Sequence, residues 1–380
     1  MDDIIDLSSS TKNCMESHCN AVHFSNKKKI RYSGTKCFLM VMDAKGNAEI
    51  PTLVIDEKSN VLVVSEVTYL GDVFNSEGNN DGLIADRMKR GIKAMVTIAA
   101  LMAEVNVGVH RIGTNLLLYR SLFLSTILFN SQTWSNLRTK DIKMLQTLQL
   151  KFLKRIVGVS SSTANSFIFL ELGVLPIEHE IAKRQIMYLH RILQLDASDP
   201  VKVMYTNLKH LHEAGERNWW SEVSEKMVKY DITVDIDEIQ ALSKNQFSRQ
   251  VRKKIEETAL TNLCAECKSL KKTSDLQYQR LETQDYLLKC FPGQARTIFK
   301  WRSKTLNLKL HSTYKYSDEM CRGCGVCEES AEHVINCNQT DITIVEDIAT
   351  LGVITKEVMD RLQVQTDRIK VFLQSVEPQS

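Results

Sequence analysis

The residues best suited to chemistry lie between 321 and 337, where the chain reads Cys-Arg-Gly-Cys-Gly-Val-Cys-Glu-Glu-Ser-Ala-Glu-His-Val-Ile-Asn-Cys. Cys321 and Cys324 form a Cys-x2-Cys pair, and Gly323 and Gly325 allow the tight turn such a pair needs. His333 and Cys337 are one helical turn apart, so both can face one point. Three thiolates and an imidazole are the donor set of a closed tetrahedral zinc site, which is structural and keeps no open position for a substrate. Cys327 leaves a second pairing open, because Cys324-x2-Cys327 repeats the spacing. The expectation is one tightly held Zn2+ per chain. Free thiols beside a surface histidine are the bland alternative.

Three other groups of residues could do chemistry. Asp2 and Asp3 are adjacent carboxylates followed by the apolar pair Ile4-Ile5, a pattern that fits a tight turn between strands and could hold Mg2+ through hard oxygen ligands. On composition alone a solvated acidic terminus is the favoured account of them. Between residues 140 and 157, Lys140, Lys143, Lys151, Lys154 and Arg155 cluster on one side of a helical projection. Ile142, Leu145, Leu148, Phe152 and Ile156 form the opposite stripe. A one-sided basic face can neutralise phosphates and release counterions, whereas the bland reading is a solvated lysine face. Cys264-Ala-Glu-Cys267 has metal-ligand spacing but no second pair beside it, so it reads as structural, and Trp219-Trp220 reads as core.

The elements that must position these residues change character near Val67-Thr68-Tyr69-Leu70-Gly71. Before it, a short helix over 8–26 precedes an apolar strand over 37–42. A turn over 43–47 follows, then a strand pair over 50–55 and 60–64, with the β region ending at Gly71. From Asp81 the period becomes helical: Ile84, Met88, Ile92, Met95, Ala99 and Met102 mark one face, with Arg87, Lys89, Arg90 and Lys93 mostly off it. Leu116 to Phe129 is apolar nearly all round and reads as a buried central helix. Helices continue through residues 197–310, and Lys300 to Lys309 is basic with Phe299 and Trp301 for company.

Composition sets the outer bounds. The chain has 380 residues, 43% hydrophobic and 25% charged, the make-up of a globular protein of two or three domains. A net charge of +3 does not by itself announce a nucleic-acid binder, so the placement of charge decides. The N-terminus has no basic n-region, and the most apolar segment is too short to span a bilayer. The ten cysteines therefore read as intracellular thiols or metal ligands, and the expected location is nuclear or cytoplasmic.

Taken in order, these stretches resemble the C-terminal portion of a reverse transcriptase from a non-LTR (LINE-like) retrotransposon. Met1-Asp2-Asp3 matches the last three positions of that family's catalytic box. Lys36 matches a lysine carried near the incoming nucleotide's phosphates, and Tyr69-Leu70-Gly71 matches the primer grip. The helices from Asp81 to Val157 and the Glu171-Leu172-Gly173 turn look like the thumb, and Cys321, Cys324, His333 and Cys337 match the CCHC motif.

The resemblance implies a mainly α chain with a small N-terminal β region, an α+β fold. Its expected parts are a palm remnant (1–75), a helical thumb (76–195), a helical linker (196–310), a zinc knuckle (311–340) and a tail (341–380). It implies contacts to RNA, RNA–DNA hybrid or DNA template–primer through Lys36, Tyr69, Leu70, Gly71, Arg87, Arg90, Lys143, Lys151, Lys154 and Arg155. It departs from the family in lacking the upstream catalytic aspartate and the fingers, so the expectation is a truncated RNA-directed DNA polymerase fragment, inactive alone, with Mg2+ bound only in a complete palm. The alternative is a host-adopted, zinc-stabilised helical scaffold for protein interaction.

Overall fold

The computed structural model describes residues 5–30, 32, 36–42, 51–56, 59–105, 107–311, 316–330, 333–334 and 337. Within them the chain is mainly helical with a few short strands. It divides into two compact units, one made of Met1–Arg90 with Asn136–Asp141, the other of Gly91–Ser135 with Ile142–Ser380. Asp2, Asp3, the turn read over 43–47 and the tail beyond Cys337 lie outside the described residues.

In the first unit, α1 (Thr11–Lys28) starts where Ser10 accepts a hydrogen bond from the Asn13 amide, the N-cap that the serine-rich start predicts. The β region is thinner than the sequence pattern suggests. Of the apolar run 37–42 only β1 (Phe38–Leu39) forms. β2 (Val54–Asp56) pairs antiparallel with β3 (Ser59–Asn60), and β4 (Leu62–Val63) pairs parallel with β1. An apolar run specifies burial without naming a partner: β2 and β3 pair locally, whereas β1 takes its partner from residues more than twenty positions on.

The β region also runs past Gly71. β5 (Glu66–Tyr69) and β6 (Asp72–Asn75) form a regular hairpin, with Glu66 opposite Asn75 and Tyr69 opposite Asp72. Leu70 and Gly71, at φ 47° and 87°, make the two-residue turn, whose twist matches that of the strands. α2 (Asp81–Glu104) follows in sequence and belongs to the second unit from Gly91 on, with Leu83, Ile84, Met95, Ile98 and Met102 buried along one stripe. Arg138 closes the unit: it donates to Asp81 and Asp141, and Lys140 also approaches Asp81, at 3.1 Å.

In the second unit, α3 (Arg111–Leu118) runs through a π-helical turn at Tyr119–Phe123 into α4 (Leu124–Ile127). Ser121, Ser125 and Thr126 hydroxyls donate to main-chain carbonyls one turn back, a competing bond that loosens the helical ladder. This segment is buried on one side only. Tyr119, Phe123 and Ile127 are buried, while Leu117, Leu122 and Phe129 are exposed, so the all-apolar sequence overstates its burial. α5 (Thr139–Val157) buries Leu145, Leu148, Phe152 and Leu153, and Phe152 packs on Phe123 with ring centroids 4.8 Å apart. Buried Gln149 donates to the Tyr119 hydroxyl and the Leu175 carbonyl.

α6 (Asn165–Leu172) is buried on almost every side and ends at Gly173. α7 (Ile177–Leu193) follows, then α8 (Pro200–Glu213), α9 (Trp219–Lys229), α10 (Ile236–Ala241) and α11 (Lys244–Ser269). Asp199, Asn218, Asp235 and Ser243 cap the last four through their side chains. Ile186, Leu189, Val223, Met227, Phe247, Val251 and Ile255 interleave in one core, with Trp219 and Trp220 buried at its margin as the sequence predicts.

α12 (Asp285–Lys289) and α13 (Pro292–Arg302) then return the chain to α6. Thr283 bridges Leu172, and the Gln284 amide donates to the Glu171 carbonyl. At Gly173 a Cβ would meet Glu282 and Thr283 main-chain atoms at 2.3 Å, and φ is +59°, so glycine alone permits this closure. Among the described residues no helix is long and apolar enough to cross a membrane.

Candidate metal centre and basic helix face

Residues 319–329 form a small closed knuckle. Met320 bridges Glu328, the Cys321 amide donates to the Cys327 carbonyl at 2.7 Å, and the Glu329 amide donates to the Glu319 carbonyl at 2.7 Å. The turn passes through Gly325, whose amide donates to the Cys321 carbonyl. Ser330 then accepts from the His333 amide and starts the helical turn that carries the imidazole.

This backbone brings the candidate ligand atoms of Cys321, Cys324, His333 and Cys337 within 4.8 Å of one another, which gives a Cys3His group able to hold a metal ion. Cys324 Sγ lies 3.3 Å from His333 Nε2. Amides point at the sulfurs: Gly323 N–H to Cys321 at 3.3 Å and Val326 N–H to Cys324 at 3.5 Å. The Val326 and Cys327 amides hold the Cys324 thiol down at about 6, into the thiolate form a metal needs, while burial pushes the Cys321 thiol up. Cys327 is exposed and stands outside the group, so of the two pairings open in the sequence the structure assembles Cys321 with Cys324.

Glu329 locks the knuckle from beneath, a role that the motif spacing does not reveal. It is fully buried and takes hydrogen bonds from the Arg322 guanidinium, the Arg322 amide and the Lys309 amide. Burial acts to raise its pKa, but the Arg322 charge and these amides win and hold it below the ordinary glutamate value. Arg322 also donates to the Asn307 carbonyl at 2.8 Å, tying the knuckle to the segment after α13.

A second buried carboxylate organises the Glu171-Leu172-Gly173 turn. Glu171 accepts from the hydroxyls of Tyr278 and Tyr286 and from Arg302 Nε and Nη2, at 3.1 and 2.9 Å. Burial alone would lower the Arg302 pKa, yet the carboxylate raises it, and burial together with that same charge pushes both tyrosines well above their usual value. Arg302 is thus withdrawn from the basic 300–309 stretch. Lys304 and Lys309 of that stretch are also paired, with Asp275 and Asp318.

The sequence-predicted nucleic-acid contacts separate into exposed and buried groups. Lys36 is exposed, and Leu70 stands 63% exposed at the hairpin tip with Tyr69 and Gly71 half-buried beside it. Arg90 is exposed and pairs with Asp86 at 2.7 Å. Lys143, Lys151 and Arg155 are exposed on α5.

Two expected contacts are corrected. Arg87 is 1% exposed and donates to the Gly71 carbonyl and the Asp72 carboxylate, so it anchors the hairpin from inside. Lys154 is 9% exposed: its ammonium turns into the 158–164 loop and the start of α6, donating to the Ser161 carbonyl at 2.6 Å and Asn165 Oδ1 at 2.9 Å. Burial lowers its pKa. The helical projection puts Lys154 on the basic face, but the loop that ends the helix folds over it. Cys264 and Cys267 lie along α11, Cys267 buried, and belong to no metal group among the described residues.

Comparison of the chain with family models, curated proteins and solved structures finds no match in any of the three.

Proposed function

We propose that this chain is the thumb and zinc-knuckle portion of a non-LTR retrotransposon reverse transcriptase, and that α5 binds the backbone of RNA or an RNA–DNA hybrid. One observation carries the binding reading. Lys143, Lys151 and Arg155 are exposed along one face of α5, and none has an ion-pair partner among the described residues. The only acidic residue of that helix, Asp141, is buried and taken by Arg138. On other helices some exposed cations are paired, as in Arg252–Glu256, Lys289–Asp285 and Arg217–Glu225, and others, such as Lys27, Lys28, Lys89 and Lys93, have no ion-pair partner among the described residues. An unneutralised row is suited to a polyanion.

The order of the parts supports the family reading: a hairpin with Tyr69-Leu70-Gly71 at its turn, a run of helices, then the Cys3His group. Zn2+ is the metal that this donor set suits best, in a closed structural site.

The test is binding of a short RNA–DNA hybrid across a salt series. Affinity should fall steeply with salt, and the triple variant Lys143→Ala, Lys151→Ala, Arg155→Ala should reduce the slope of log K against log salt by about 2 to 3. Equal slopes in wild type and variant would sink the reading.

The scaffold reading has its own observation. Val201, Met204 and Leu211 of α8 stand exposed on one side of that helix, an apolar row that a protein partner could cover. It would gain if the chain ignored nucleic acid while Met204→Glu removed a protein interaction.

A further inference from the structure

The basic row of α5 ends in a residue that α5 does not contain. The helix finishes at Val157, and Gly158 follows with φ +75°. Gly158 lies three residues past Arg155, the last exposed cation of that row, where the left-handed backbone leaves the helical path. No side chain grows from it. In its place lies the guanidinium of Arg296, from α13: a Cβ built on Gly158 would meet Arg296 Nη2, Nε and Cζ at 2.5, 2.6 and 2.7 Å. Arg296 Nε donates to the Val157 carbonyl at 3.2 Å, which fixes the plane of the group against the helix end.

We propose that Arg296, seated on Gly158, is a phosphate-binding subsite for the phosphodiester backbone that crosses the basic face of α5. This rests on the nucleic-acid reading of that face and adds a specific anchor to it. Of the five N–H donors of a guanidinium, one is used at Val157, and the two terminal nitrogens have no acceptor among the described residues. Arg296 is exposed, and no carboxylate pairs with it among the described residues. A planar fork with two free nitrogens takes a phosphate through paired hydrogen bonds, where a lysine offers a point charge.

The φ of +75° already calls for glycine at 158. Any side chain at 158 would displace the guanidinium. At about 1.5 Å per residue, the row from Lys143 to Gly158 spans roughly 22 Å, long enough to meet several successive phosphates.

The experiment compares salt slopes for the hybrid in wild type, Arg296→Gln, Arg296→Lys and the α5 triple variant, with thermal melting of each. Arg296→Gln should lower the slope by about 1 and weaken binding several-fold, with little change in melting. Arg296→Lys should keep the slope but recover only part of the affinity, because the charge returns without the fork. A normal slope in Arg296→Gln beside a reduced one in the triple variant overturns the subsite and leaves the α5 reading standing. Normal slopes in both overturn the two together. Inorganic phosphate, titrated at constant ionic strength, supplies the last arm. Should it abolish the difference between wild type and Arg296→Gln at low millimolar concentration, the site serves free phosphate and the phosphodiester assignment falls.

Discussion

At the scale of single residues, two buried glutamates do what the sequence assigns to no one. Glu171 has no charged neighbour in sequence, and the Arg302, Tyr278 and Tyr286 that satisfy it come from a segment more than a hundred residues away. The pair Glu171–Arg302 is almost fully out of water, at 0% and 7% side-chain exposure, so its worth lies in being complete. A buried ion pair gains little over a well-packed apolar pair, but losing one partner strands the other charge. Glu171→Ala should therefore destabilise the second unit by about 3–5 kcal/mol, and Arg302→Met should cost a similar amount. The double variant should cost clearly less than the sum of the two. Urea unfolding of the three proteins measures this, and strict additivity would show that the charges do not depend on each other. The same logic explains why Arg87 and Lys154 disappoint a surface reading. Each has interior acceptors waiting, at Gly71 and Asp72 or at Ser161 and Asn165, and an aligned acceptor in the interior outcompetes solvent.

At the scale of elements, the sequence is legible where the signal is local. Period 3.6 gives α5 within one residue of its observed start and gives the α2 stripe through Ile84, Met95 and Met102, although Ile92, expected on the same stripe, stands exposed at its edge. Cap chemistry gives the start of α1. What depends on distant partners is less legible: among the described residues the apolar runs at 37–42 and 50–64 hold strands of two or three residues, and the parallel pairing of β1 with β4 is not written in either run. Arg296 on Gly158 and Arg302 on Glu171 are hidden for the same reason. The knuckle lies between these cases. Its ligand types follow from spacing, but the choice of Cys321 over Cys327 follows from the Met320–Glu328 bridge, which turns Cys327 outward. Cys321→Ser or Cys337→Ser should abolish stoichiometric Zn2+ binding, and Cys327→Ser should leave one ion per chain, read by metal analysis of protein purified without chelator. Chelation should release protection in residues 316–337 and leave the α7–α11 core intact in hydrogen exchange, since metal binding and folding are coupled only where the ligands lie. Loss of metal on replacing Cys327, with retention on replacing Cys321, would invert the ligand assignment.

At the scale of the whole molecule, acid should act in two windows, because two buried groups resist protonation for different reasons. His179 sits in the helical core, where the Tyr230 hydroxyl lies 2.9 Å from Nδ1 and Nε2 faces Glu178 at 3.4 Å. Burial lowers its pKa below the usual 6.5, with Lys229 in the same direction and Glu178 and Glu180 opposing. The unfolded chain therefore takes up a proton before the folded one does. Stability from this group is fully present above about pH 6.5 and is lost as pH falls from there through the native value. Glu329, held below its usual 4.5 by Arg322 and the surrounding amides against the opposing effect of burial, behaves likewise one window lower. Its contribution is intact above about pH 4.5 and is lost as pH falls through its native value. Melting temperature should thus decline first as pH falls below about 6.5 and again below about 4.5. His179→Gln should flatten the first decline and leave the second. The metal ligands also take up protons in acid, but that term is common to both proteins and cancels in the comparison. A wild-type melting temperature that stays level between about pH 6.5 and 4.5, or a decline there that persists unchanged in His179→Gln, would show that this histidine is not held neutral by its place in the core.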